Sequence, residues 1–194
     1  MKHLIVYAHP HPESLNHAIL DTTVRALKKN GHEVIVRDLY ELKFQPVLQP
    51  KDTVAMKAGQ TPKDIRTEHE FINEADVITF IYPIWWTGLP AILKGYVDRV
   101  FAYGYAYAFG EEGIIKLLKG KKGLIINTHG TPTEEYDEIG MTAGLKMTSD
   151  IGIFEFSGIE PIEHLLFGSI GIVNEEAYKE MLNKVEETIN SHFS

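Results

Sequence analysis

Three short stretches hold most of the residues that could do chemistry: "HPHPESLN" (His9–Asn16), "PIWWTGLP" (Pro83–Pro90) and "HGTPTEEY" (His129–Tyr136). In the first, a His, a Ser hydroxyl and the free N–H groups opening a helix suit a phosphate or pyrophosphate. The plainer reading makes Ser14 or Asn16 an N-cap and His9 a loop residue. In the second, Pro83 ends one element and Pro90 starts the next near its first position. Ile84, Trp85, Trp86 and Thr87 then turn between them, with Gly88 expected to ease the turn. Consecutive backbone N–H and C=O groups beside flat apolar side chains suit a planar heteroaromatic with a hydrogen-bonding edge, such as a flavin ring. A tryptophan pair packed under a neighbouring loop is the competing reading, and on this stretch alone the two stand level.

The third stretch, read with Thr128, offers backbone N–H groups around Gly130. They suit an edge where negative charge develops, and preorganised donors there are an effective catalytic device. Tyr136 can supply a phenolic donor toward a hydride acceptor, whereas His129 taken alone reads as a solvent-facing loop residue. Just after the helix that follows the tryptophans, "AYGYAYAFG" alternates Tyr103, Tyr105 and Tyr107. That alternation fits a half-buried strand or the lining of a slot, and its closeness to the tryptophans favours the slot.

Composition narrows the alternatives. The 194 residues are 44% hydrophobic and 24% charged, as in an ordinary globular protein, and the length suits one domain spanning 1–194. A formal charge of −8 argues against general nucleic-acid binding, which needs basic patches. With no cysteine, disulfides, thiolate metal sites and a Cys nucleophile are excluded. The "HPH" at residues 9–11 is a weak metal candidate without clustered carboxylates, so no metal is expected. No apolar run approaches the ~18 residues of a membrane span. The N-terminus reads as a buried strand rather than a secretion signal, and a cytoplasmic location is expected. No Walker A sequence, dinucleotide glycine fingerprint, His-Glu-x-x-His or nucleophile elbow occurs.

The elements that must position these loops follow from hydrophobic pattern. His3–Ala8, Val77–Tyr82 and Gly123–Thr128 are nearly continuously apolar, as strands buried on both faces must be. Glu33–Leu39 is a more polar fourth, and Pro161–Phe167 a fifth. Helical periods run through Asn16–Asn30, Asp64–Glu74, Ala91–Phe101, about Glu134–Ser149 and Glu175–Ser191. The alternation predicts an α/β three-layer sandwich around a five-stranded parallel sheet of order 2-1-3-4-5. Its ligand crevice lies at the carboxyl ends of strands 1, 3 and 4, where the three stretches fall. Lys43–Pro62 is left as a long irregular loop, the kind that usually covers something.

These stretches, with "DLYELKFQPVLQPKD", "GKKGLIINTHG" and "FEFSGIEPIE", resemble in order the NAD(P)H:quinone oxidoreductase family of flavodoxin-like fold. The resemblance implies two-electron, ping-pong reduction of a quinone or similar aromatic acceptor by NAD(P)H through a bound flavin. The flavin is FMN or FAD, and the chain length favours FMN. It implies a homodimer with active sites at the interface. It also implies flavin phosphate and ribityl contacts from His9, Ser14, Leu15 and Asn16. A ring wall from Pro83, Ile84, Trp85, Trp86 and Thr87 follows, with an N1/O2 edge from Thr128, His129 and Gly130. Trp86, Tyr105 and Tyr107 would line the acceptor slot, and Tyr136 falls near a tyrosine of a charge relay. Where the family pairs that tyrosine with a histidine, this chain has Thr142 beside Met141; Asn127 and His129 stand for a Thr and a Gly. Shorter relatives include regulatory subunits of potassium-efflux systems, and a flavodoxin-like electron carrier is a further alternative.

Overall fold

The computed structural model describes residues 1–194. Five strands form a parallel sheet: β1 (Lys2–Tyr7), β2 (Glu33–Asp38), β3 (Val77–Pro83), β6 (Lys122–Thr128) and β7 (Glu160–Phe167), in the order β2-β1-β3-β6-β7. That is the expected 2-1-3-4-5 sheet, to which a small antiparallel hairpin is added, β4 (Tyr107–Gly110) with β5 (Gly113–Lys116). β1 and β3 are buried almost throughout, which their continuous apolar runs required.

Alternate residues feed two cores. Ile5, Tyr7, Ile81 and Ile126 meet α1 (Leu15–Lys29) and α7 (Glu175–Phe193) through Ile19, Leu27, Val185 and Ile189. Leu4, Val6, Phe80 and Ile125 meet α3 (Lys63–Glu74) and α4 (Ala91–Val100) on the other face, with Ile65, Ile72, Leu93 and Tyr96. Ser14 caps α1 by accepting from the His17 N–H, and Gly31 (φ 80°) ends it in the left-handed conformation.

Two expectations need correction. Lys43–Pro62 is not all loop, because it contains α2 (Pro50–Lys57). This helix has a Gln49–Asp52 capping box and buries a carboxylate, Asp52, instead of an apolar stripe. The segment lies tight on α4: a Cβ at Gly95 would sit 2.2 Å from the Pro46 carbonyl oxygen. The span Glu134–Ser149 is likewise not one helix. It divides into α5 (Thr133–Glu138) and α6 (Met141–Lys146), separated by Gly140 at φ 76°, and runs on into a π-helical segment, Met147–Glu155. That segment is keyed to β6, since Gly123 has no room for a Cβ beside the Phe154 ring, 2.3 Å away.

At the opposite end of the sheet from the three loops, His3 is buried edge-on between the His32 and Phe193 rings, and neither ring nitrogen has a partner. Burial, helped by the charges of His32 and the N-terminus, pushes its pKa down to about 4 from 6.5. A lowered pKa means the unfolded chain takes up the proton first. Stability is therefore full above about pH 6.5 and lost as the pH falls toward about 4. From pH 7.5 to 5 this one group should remove about 2 kcal/mol. Urea denaturation at the two pH values should show that loss, and His3→Leu should reduce it.

Candidate active site

β1, β3 and β6 end at one edge, and three contacts bring their loops together. Asn16 Nδ2 donates to Thr128 Oγ1 at 2.7 Å, joining the first loop to the third. The Ile84 N–H donates to the Thr128 carbonyl at 2.7 Å, joining the second to the third. The His9 ring lies 6.0 Å from the Trp85 ring, joining the first to the second. Ser14 places the opening of α1 here. The first-turn N–H groups of Leu15 and Asn16 have no helical acceptor and supply a positive local field despite the chain's negative charge. His9 accepts from the His11 N–H at 3.1 Å, and burial, with neighbouring His11 and His17, holds its pKa below the usual range.

The tryptophan turn is built differently from the expectation. Trp85 and Gly88 exchange backbone hydrogen bonds of 3.1 and 3.2 Å, closing a two-residue hairpin loop. Gly88 does not take the left-handed conformation; Trp86 (φ 50°) and Thr87 (φ 58°) do. Two successive positive φ angles define a type I′ turn, which ordinarily uses Asn-Gly. For a non-glycine residue the left-handed region costs about 1–2 kcal/mol. Backbone strain of this sort collects at functional sites. Trp86 pays it while fully exposed, at 100%, and Trp85 is 42% exposed. Neither tryptophan is core.

His129 is a second correction. It is buried, stacked parallel on Tyr136 with ring centres 4.4 Å apart, and burial lowers its pKa. Its backbone is held by the Phe167 carbonyl and the Ile170 N–H, so it belongs to the framework of the loop. No local signal announced this, because the stack is made with a residue on α5. Thr142, beside Met141, sits nearby on α6 with a buried hydroxyl lacking a partner.

Tyr107 and Tyr105 part company. Tyr107, with Tyr103, Phe101 and Phe156, lines a cavity of about 720 Å³ between α2, α4 and the π-helical segment. Tyr105 stacks on His69 of α3, and its hydroxyl lies 3.1 Å from the His69 carbonyl and 2.9 Å from Asn73 Oδ1. No group of three or more His, Cys, Asp or Glu side chains is placed to hold a metal, and no helix is long and apolar enough to cross a membrane.

An anion-suited helix start, a strained aromatic turn and a third loop brought together at the switch point of a 2-1-3-4-5 sheet are the arrangement of a flavodoxin-type fold. Residues 1–189 match the family model described as "flavodoxin-like fold". The chain is 40% identical to an uncharacterized NAD(P)H oxidoreductase of Haemophilus influenzae over 94% of this chain and 91% of that one. It is 33% identical to NAD(P)H dehydrogenase [quinone] 1 of Rattus norvegicus, over 92% of this chain and 73% of that one. The NAD(P)H:quinone oxidoreductase structure from Methanothermobacter marburgensis superposes with a TM-score of 0.86 at 26% identity, covering 97% of this chain and 94% of that one. The chain belongs to this family of flavodoxin-like NAD(P)H:quinone oxidoreductases, and it is an oxidoreductase.

Proposed function

We propose that the protein reduces quinones or similar small aromatic acceptors with NAD(P)H, donor and acceptor using one slot in turn, with FMN or FAD as the resident cofactor. One observation carries the reading. Where the first and third loops meet, Asn16 Oδ1 is buried with no partner while its Nδ2 is held by Thr128 Oγ1. Buried polar atoms are ordinarily satisfied, and a hydroxyl of a cofactor chain lying along the start of α1 would donate to this oxygen. Ser14, Leu15, Asn16 and His9 would hold the phosphate and ribityl chain. Pro83, Ile84, Trp85, Trp86 and Thr87 would wall the ring, and Thr128, His129 and Gly130 would meet its pyrimidine edge. When bound, such a cofactor would supply the two-electron chemistry between nicotinamide and acceptor, and the chain would supply orientation and electrostatics.

The homodimer belongs to the same proposal. Trp86, Tyr103, Phe109, Met147 and Ile151 are all large, apolar and exposed. Exposed aromatic and aliphatic side chains of this kind suit the core of an interface. Tyr107 would then line the acceptor slot from its cavity, and Tyr105 would brace the hairpin that carries it.

The test is direct. The purified protein's visible spectrum is recorded, the flavin is released and identified, and NADH and NADPH oxidation is followed with a quinone. A protein that takes up neither FMN nor FAD defeats the proposal; bleaching by NADPH without turnover of any small acceptor would favour a regulatory role instead. Tyr136→Phe should slow cofactor reduction by roughly tenfold or more, as loss of a positioned proton donor does. Rapid-mixing absorbance measures that rate, and an unchanged rate removes the hydroxyl from the chemistry.

A further inference from the structure

Beneath the third loop, on the α3/α4 face, runs a buried polar chain that the proposed chemistry does not use. His164 of β7 meets Asp150 Oδ2 through Nδ1 at 2.7 Å and Asn127 Oδ1 through Nε2 in a short contact. Ser149 Oγ lies 2.8 Å from Asp150 Oδ2 and 2.8 Å from the Leu145 carbonyl. Asn127 is in register with Tyr82 on β3. Asn127, His164 and Ser149 are all buried. Burial pushes the Asp150 carboxyl up, but the hydrogen bond and charge of His164 outweigh it and hold the pKa below the usual range.

Two hydrogen-bond patterns satisfy the His164–Asn127 contact. Either Nε2 donates to the amide oxygen, or the amide is turned over and its NH2 donates to Nε2. The second also gives Asn127 Nδ2, otherwise without a partner, its acceptor. Both lock the plane of the Asn127 amide. Asn127 immediately precedes Thr128, whose hydroxyl and carbonyl are the contacts joining the three loops. Asp150 reaches His164 from the π-helical segment. π turns are rare and tend to mark functional sites, because they re-aim side chains off the α register.

We propose that His164 and Asp150 are positioning residues: by fixing the Asn127 amide they set the backbone of Thr128–Gly130, and so the groups that loop offers to a cofactor ring. The alternative is a polar cluster that only stabilises the π-helical segment against β6 and β7. The inference rests on reading the site as a flavin slot, and its test separates the two.

The full-length protein, without added cofactor, is compared by 15N-edited NMR as wild type, His164→Leu, His164→Gln, Asp150→Asn and Ile162→Val. Ile162 is on β7 but packs on the other face, and it controls for general loosening. In the wild type the Asn127 side-chain amide should exchange slowly. His164→Leu and Asp150→Asn should move the Thr128, His129 and Gly130 amide resonances, and His164→Gln, which keeps a hydrogen-bonding group, should move them less. FMN is then titrated, and His164→Leu should weaken its binding about tenfold, the effect of one buried group left unpaired. Unmoved loop resonances in a folded His164→Leu or Asp150→Asn overturn the proposal, as do equal shifts in Ile162→Val. Should His164→Leu fail to fold, His164→Gln and Asp150→Asn decide it. If the loop responds as stated but the wild type binds no FMN or FAD, the positioning role stands and the flavin reading falls.

Discussion

Trp86→Ala should leave the protein folded to within about 0.5 kcal/mol of wild type while weakening cofactor or acceptor binding by tenfold or more. The side chain is fully exposed, so its removal creates no cavity. The left-handed backbone that holds it sharpens the expectation. Trp86→Gly should be more stable than wild type, by about 1 kcal/mol, because glycine adopts φ 50° without steric cost. A variant that gains stability and loses function separates a functional tryptophan from a structural one. Urea denaturation followed by circular dichroism gives the stability; FMN titration and the KM for a quinone give the function. If Trp86→Ala loses several kcal/mol, or if its turnover is unchanged, the ring-wall assignment is wrong.

Arg99→Met should be the most destabilising single change on the α2 side, at about 3–5 kcal/mol, because it strands a buried carboxylate. Arg99 Nε donates to Asp52 Oδ2 at 3.0 Å, while Nη1 reaches Asp64 Oδ2 at 2.7 Å and the Gln45 carbonyl at 2.8 Å. Asp52 is 1% exposed and Arg99 3%. Burial pushes the Asp52 carboxyl up, but Arg99 and the Gln49 N–H more than offset it, leaving the pKa below 3.8. A carboxyl depressed in the fold stabilises above its unfolded pKa and loses that contribution as the pH falls through the folded value. The wild type should therefore hold its α2 segment down to about pH 4, and Arg99→Met should release it at neutral pH. Limited proteolysis between Lys43 and Pro62 reports the release. The double variant Arg99→Met/Asp52→Leu should recover much of the loss, since removing both charges leaves none stranded. Resistance to protease in Arg99→Met would show that Pro46 against Gly95 suffices.

Much of the molecule was legible because its signals are local. Runs such as "VITFIY" admit only a strand buried on both faces, and the alternation with helical periods leaves one common sheet order. From that order the edge carrying the three loops follows without any motif. What escaped lacks a local signature. α2 has no apolar stripe, since its inward residue is Asp52, made acceptable by an Arg 47 residues away. The alternation through Tyr103, Tyr105 and Tyr107 runs into β4, but β4 is only four residues long and β5 is exposed at every one of its four, so nothing marked them as a pair. The break at Gly140 and the π-helical segment answer to tertiary packing, Phe154 against Gly123. At the site, residue types were readable but conformations were not. Gly88 looked like the residue to relieve the turn, yet the strain falls on Trp86 and Thr87. His129 looked like a surface residue until Tyr136 was placed beside it. The Asn127–His164–Asp150 chain joins positions 37 and 14 residues apart, with no spacing that marks it.

The chain has two indoles, and both stand in one turn at the meeting point of its three loops. Excited at indole wavelengths, the whole protein therefore emits from a single place. With Trp86 fully exposed, that emission should be red-shifted in the isolated subunit and should quench or shift when a ring or a second subunit covers the turn. The site carries its own optical probe, and ligand uptake can be followed on the unmodified protein with no label added.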